Sequence, residues 1–269
     1  MSEWVSDKPT RAPIVGLGRA HLLGLTSGTV FGIVVMLGLS LLLTLGPAKP
    51  PAHPQDAPLA SNVPDVIFKA PRFTGFVNQN GDKVASSDFD GKVQVVSFLF
   101  PLCSSMCPVI ASHIVNLEHQ VQQAGLAGRV RMVSFNVAPG KTSPEEMADF
   151  MREYGGRPSS SGWQFLTASP AEIDRVVRQG YHEYFQMISL EAENKIFAQQ
   201  QKAGTYNYMP NMQNKLADKV NADFDVTHSS SIILVGPHGN VRYVMNDADT
   251  VPVPVLLKKI EGLLKARGA

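Results

Sequence analysis

Val93-Gln94-Val95-Val96-Ser97-Phe98-Leu99-Phe100 runs directly into Pro101-Leu102-Cys103-Ser104-Ser105-Met106-Cys107-Pro108. The first stretch is mostly apolar and rich in β-branched side chains, the composition of a strand buried on both faces at the centre of a sheet. Proline ends it. From about Pro108 to Ala124, Ile110, Ile114, Leu117 and Val121 recur at spacings of three and four, the period of an amphipathic helix. A buried strand feeding a helix is the elementary unit of an α/β fold.

The same alternation continues outward from this stretch. Downstream, Val130 to Val137 is a second apolar strand. Ser143-Pro144-Glu145-Glu146 then opens a helix with a capping serine, proline at the first position and early acids. That helix runs to Tyr154 and stops at Gly155-Gly156. Phe165 to Thr167 reads as a short strand, and Ser169-Pro170-Ala171-Glu172 repeats the start signal for a helix to about Phe185. Ser231 to Val235 and Asn240 to Met245 are strands around the turn Pro237-His238-Gly239, and a last amphipathic helix spans Val253 to Ala266. Upstream, Phe73 to Val77 and Lys83 to Ala85 flank Asn78-Gln79-Asn80-Gly81 as a hairpin. The order predicts an α/β sandwich around one central mixed sheet. Residues 186 to about 226 break the rhythm with Gln- and Asn-rich sequence (Gln199-Gln200-Gln201, Asn211-Met212-Gln213-Asn214) and read as an insertion, either a lid or partner surface or a loop.

Ahead of the domain lies an uncharged apolar run from Leu22 to Leu45, long enough at about 1.5 Å per residue to cross a hydrocarbon core of roughly 30 Å. It is longer than a signal-peptide core, and Gly46-Pro47-Ala48-Lys49 behind it is a poor cleavage sequence. Lys8, Arg11 and Arg19 precede the run and only Lys49 follows closely, which puts the N-terminus in the cytoplasm. The expected organisation is a cytoplasmic tail (1–21), a transmembrane helix (22–45), a Pro-rich tether (46–64) and one soluble domain (65–269). That domain would lie on the periplasmic side of a bacterial cytoplasmic membrane.

A formal net charge of +1 with 17% charged residues gives no basic footprint for nucleic acid. The chain has two cysteines, four residues apart. A disulfide between them would close too small a loop to stabilise the fold much. At a helix start, cysteines at i and i+4 bring both sulfurs to one face, and helix amides favour the thiolate. Thioredoxin-type redox proteins more often place two residues between their cysteines, so this spacing tilts toward a metal without excluding a disulfide. Two thiolates joined by an imidazole suit copper or zinc. Of the seven histidines, His228 stands out because it precedes the Ser231 to Val235 strand, whose entry such a fold places beside the motif helix. The alternative for His228 is a surface or capping role. His238, in its turn, reads as exposed.

A strand ending in Cys103-x-x-x-Cys107-Pro108, a later His228 ahead of an Ile-Ile-Leu-Val strand with a Pro-x-Gly turn, and an N-terminal anchor together resemble the Sco/SenC family of copper chaperones. The resemblance covers roughly residues 65 to 266 apart from the insertion. It implies a thioredoxin-like fold and one copper ion, Cu(I) or Cu(II), held by Cys103, Cys107 and His228. It also implies a copper-accepting subunit of a respiratory oxidase as partner. The family usually carries Asp-Pro in the segment matching Val137-Ala138-Pro139-Gly140, and here the aspartate position is Ala138. Met187, Met209 and Met212 of the insertion are candidate substitute soft ligands or partner contacts, against simple flexible packing. Two other functions compete: a thiol-disulfide reductase using Cys103 and Cys107 on a metal-centre apoprotein, and a non-catalytic accessory subunit of a membrane complex.

Overall fold

The computed structural model describes residues 63–103, 105–160, 162–205 and 223–266, all within one compact unit, Ala60–Ala269. The run Leu22 to Leu45 lies outside the described residues. Among those described, no helix is long and apolar enough to cross a membrane.

The strands are β1 (Phe68–Lys69), β2 (Phe76–Asn78), β3 (Lys83–Val84), β4 (Val93–Leu99), β5 (Val130–Asn136), β6 (Trp163–Thr167), β7 (Phe185–Ser189), β8 (Phe224–His228), β9 (Ile232–Val235) and β10 (Asn240–Met245). The helices are α1 (Cys107–Gln123), α2 (Pro144–Glu153), α3 (Pro170–Ile173), α4 (Leu190–Ala203) and α5 (Val253–Lys265). One sheet has the order β1-β10-β9-β4-β5-β6-β2-β3, and β7 pairs with β8 in a separate ribbon.

The mixed sheet follows from the connections. β4, β5 and β6 are parallel, because a helix-length crossover separates each from the next. β9 returns antiparallel against β4, and the tight turn at Gly239 folds β10 back on β9. All of β4 is buried, as a both-faces-covered central strand requires. Ile110, Ile114, Leu117 and Val121 of α1 are buried as well, and α1 packs beside α5. An aromatic cluster fixes β4 and β5 to their surroundings. Phe135 lies 5.5 Å from Phe73, 5.8 Å from Phe76, 6.2 Å from Phe98 and 5.7 Å from Tyr181, centroid to centroid. Within the sheet, Ser97 and Ser134 share a buried hydroxyl hydrogen bond of 2.7 Å, and Trp163 Nε1 donates to Ser134 at 2.9 Å.

Two expectations need correction. The helix opened by Ser169 does not reach Phe185. It widens after Ile173 into a π-helical turn, Asp174–Gly180, and ends there. A Cβ on Gly180 would come within 2.5 Å of Pro71, and His182 then takes a left-handed conformation, φ 62°, from which no helix continues. The second concerns residues 186 to about 226, read as an insertion without strong periodicity, either a lid or partner surface or a loop. Their described part holds most of β7, all of α4 and the start of β8, and β7 and β8 pair with each other outside the main sheet. Its polar composition hid the helix, whose described side chains are mostly exposed, because a polar helix gives little apolar periodicity. Residues 206–222, including Met209 and Met212, lie outside the described residues. β1 and a 3-10 turn at Ser86–Phe89 are too short to have left a sequence signal.

Candidate metal centre

β4 ends in the core, and residues 100–103 and 105–106 lie between it and α1. Cys103 lies ahead of the helix and Cys107 is its first residue. The two sulfurs therefore do not share a helical face, as i and i+4 spacing suggested. They meet because the sulfur of Cys103 caps the helix start: the Cys107 amide donates to Cys103 Sγ at 3.4 Å. Ser105 Oγ lies 3.4 Å from the same sulfur. Both cysteines are buried and unlinked.

His228 arrives from the other direction. It is the last residue of β8, not part of an irregular loop, and faces Phe185 of β7 in the ribbon register. Its Nδ1 lies 2.9 Å from the Ser229 carbonyl, which accepts only if Nδ1 carries the proton. With Nδ1 so engaged, Nε2 faces the cysteines, 3.3 Å from Cys107 Sγ; it donates to sulfur while the imidazole is charged and offers a lone pair once that proton leaves. Phe100 sets its ring edge-on against the imidazole at 6.1 Å. The structure thus brings Cys103, Cys107 and His228 together, their donor atoms all within 4.8 Å of one another. His238 is exposed, as expected of a turn residue.

The electrostatics polarise this cluster. Burial pushes the Cys103 thiol up, but hydrogen bonds from Cys107 and His228, the imidazolium charge and Ser105 outweigh it and hold Cys103 well below the ordinary thiol range. For Cys107, burial and then the hydrogen bond and negative charge of Cys103 all act upward, so Cys107 stays protonated. Burial lowers His228, yet its bonding to and attraction by Cys103, the Ser229 carbonyl and Asp225 raise it above the usual imidazole value. These directions favour a Cys103 thiolate beside a Cys107 thiol and a charged His228 imidazole. Three donors around one ion, with metal–sulfur near 2.3 Å and metal–nitrogen near 2.0 Å, lie roughly 3.5 to 4 Å apart. The observed cluster is within a small inward adjustment of that, and its soft sulfurs match a soft metal.

Sequence reasoning did not single out Asp225 or Tyr154. The Asp225 charge reaches both Cys107 and His228, while Ala138 is fully buried and its amide donates to Asn136 Oδ1 at 3.0 Å. The carboxylate felt by the cluster therefore comes from β8 and not from position 138. The pattern that could have found Asp225 is strand alternation toward His228, but the strand itself was not foreseen. Tyr154, just past α2, has its hydroxyl held above the ordinary range by burial first, then by Glu153 and by both cysteines. Met187 is 43% exposed on β7 and is not part of the cluster.

Comparison with known proteins places this geometry in context. The SCO1/SenC family model matches residues 69–220, a span that holds both cysteines and ends ahead of His228. The chain is 26% identical over 187 residues to the SCO1 protein homolog of Bacillus subtilis, covering 69% of this chain and 78% of the relative. Among solved structures, a SCO1/SenC family lipoprotein from Bacillus anthracis aligns with a TM-score of 0.54 at 21% identity, over 74% of this chain and 96% of that one. ScoI of Arabidopsis thaliana, solved with copper bound, aligns with a TM-score of 0.53 at 16% identity, over 74% and 100%.

Proposed function

Since the chain belongs to the SCO1/SenC family, we propose that it is a membrane-anchored copper-binding chaperone that takes part in assembling the copper centre of a respiratory oxidase. The observation that carries the reading is the convergence of two sulfurs and one imidazole from segments far apart in sequence. A structural neighbour supports copper as the ion: ScoI of Arabidopsis thaliana was solved with copper bound.

Copper is the cargo in this reading, received and released by ligand exchange. Cys103 offers a ready thiolate. Cys107 gives up its proton when the ion enters, and the Ser229 carbonyl keeps the Nε2 lone pair of His228 available. Three protein donors leave one side open for a donor from the acceptor. The run Leu22 to Leu45 would anchor the chain in a bacterial cytoplasmic membrane, and residues 46–64 would tether the domain on the periplasmic side. Tethering raises the local concentration at a membrane-bound acceptor.

The polarised cysteine pair also favours a second reading, thiol-disulfide exchange. The Cys103 thiolate would attack an acceptor's disulfide, and Cys107 would then release the reduced acceptor while the pair itself becomes oxidised. His228 separates the two. In Cys103→Ser, both copper content and disulfide reduction are expected to fall to background. In His228→Ala, copper content is expected to fall at least tenfold while reduction of a model disulfide persists. Full copper content in purified His228→Ala protein would overturn the chaperone reading.

A further inference from the structure

The imidazole of the metal cluster is carried by a ribbon outside the main sheet, so its position depends on what holds that ribbon to the domain. The Ser229 amide donates to the Tyr184 carbonyl at 2.9 Å, which makes this row of the ribbon a hydrogen-bonded pair. Rows alternate in an antiparallel ladder. The next row, Phe185 opposite His228, is therefore a non-hydrogen-bonded pair: its side chains lie close together and the Phe185 carbonyl turns away from β8. A strand carbonyl that faces outward takes its donor from another segment or from water.

Arg178 supplies that donor. Its Nη2 donates to the Phe185 carbonyl at 2.6 Å, and its guanidinium lies over the Phe185 ring, 4.6 Å from the centroid. Nη1 of the same group is paired with Asp174, whose second carboxylate oxygen accepts from Gln179 Nε2 at 2.9 Å. A planar fork makes all three contacts at once, which a point-like ammonium cannot. Arg178 thus grips both the backbone and the ring of the residue that faces His228 across the ribbon. The mounting is unusual as well. Arg178 sits on the π-helical turn Asp174–Gly180, closed by the Tyr181 amide on the Val176 carbonyl at 2.9 Å, and such turns are rare and found frequently at functional sites. Val176 and Val177 of the turn are buried in the core, so Arg178 reaches out to the ribbon from the body of the domain.

We propose that Arg178 is a positioning residue of the metal centre, which through Phe185 fastens the His228 row of the ribbon to the domain and sets how readily the imidazole leaves the two sulfurs. Resting on the copper-chaperone reading, this adds a point of control to it. Release of copper begins when the ribbon lets go of Arg178 and carries His228 off the ion. The ion keeps both sulfurs, and the vacated position is open to a donor from the acceptor.

The test compares wild type, Arg178→Met, His228→Ala and the double variant, each as the full chain in detergent. In the metal-free proteins, amide exchange at residues 185–189 and 224–229 is expected to be at least tenfold faster in Arg178→Met than in wild type, the effect of losing a hydrogen bond to a charged group. The global unfolding midpoint serves as the folding control. In proteins loaded with saturating Cu(I) under reducing conditions, transfer to an excess of a Cu(I) chelator is expected to be about tenfold faster in Arg178→Met than in wild type, and no faster in the double variant than in His228→Ala alone. A residue that merely supports the fold would speed transfer in both backgrounds. The proposal is overturned if ribbon exchange in Arg178→Met matches wild type, or if the substitution speeds transfer equally with and without His228. Failure of the wild-type protein to take up Cu(I) would count against the chaperone reading alone, and the exchange comparison in metal-free protein would still decide whether Arg178 fastens the ribbon.

Discussion

The two halves of the cysteine-histidine cluster rest on very different ground. Cys103 and Cys107 follow a strand buried along its whole length and bonded to neighbours on both sides. His228 closes a two-stranded ribbon that lies outside the main sheet and leads into α4. The ribbon and the segments joined to it expose apolar side chains: Met187 in β7, Tyr184 just ahead of it, and Leu190 and Ile196 in α4 are each 40% accessible or more. One half inherits the stability of the core. The other depends on a ribbon of two strands, a structure that is marginal on its own. A site built this way can hold its sulfurs fixed while the imidazole responds to a partner.

The largest expected effect breaks the first half. Phe135 touches four aromatic rings that lock β4 to β5 and to the chain around them. Phe135→Ala should cost about 3–5 kcal/mol of global stability, seen as a lower midpoint in chemical unfolding with copper binding lost only as the fold is lost. A loss under about 1 kcal/mol would mean that the cluster is not what holds the two strands together.

The contrast between the halves also explains what the sequence could say. The strand from Val93, the helix after Cys107 and the serine-started helix at Pro144 were all legible, because buried strands and capped amphipathic helices write their periods locally. The cysteine pair was legible by type and spacing. The route by which it converges was not, since a sulfur capping a helix start resembles any turn residue in sequence. His228 was reachable by its place ahead of a core strand, and the resemblance to a family named it. The strand that carries it was hidden because Phe224–His228 is only partly buried and pairs outside the main sheet, where alternation is weak. Asp225 was invisible for the same reason.

A smaller effect probes the seam between the halves. Tyr181 lies between the π-helical turn and β7 and packs on Phe98 and Phe135. Full burial raises its hydroxyl above the ordinary tyrosine value. The unfolded chain therefore loses this proton at a lower pH than the folded one. The contribution is intact below about pH 10 and declines above it, by at most about 1.4 kcal/mol per pH unit. Tyr181→Phe should leave neutral stability nearly unchanged and flatten the alkaline decline measured by denaturant unfolding. An alkaline decline as steep as wild type in the variant would place the responsible group elsewhere.

The smallest effect separates the halves most directly, because the same chemical change is made in each. Ser143 caps α2 by accepting from the Glu146 amide at 3.2 Å, and Glu146 returns a bond to the Ser143 amide at 2.7 Å. Ser189 caps α4 by accepting from the Ala192 amide at 3.2 Å. Replacing either serine by alanine removes about 1 kcal/mol of helix stability. In α2, whose Met147, Phe150 and Met151 are buried, Ser143→Ala should appear in full in global unfolding. The described side chains of α4 are mostly exposed, so α4 is expected to open before the core, and Ser189→Ala should leave the global midpoint within experimental error. Its effect should instead be amide hydrogen exchange about fivefold faster, confined to residues 189–203 and the ribbon that ends at His228. Equal global losses from both substitutions would mean that α4 and the ribbon unfold with the core, and that the imidazole is held as firmly as the sulfurs.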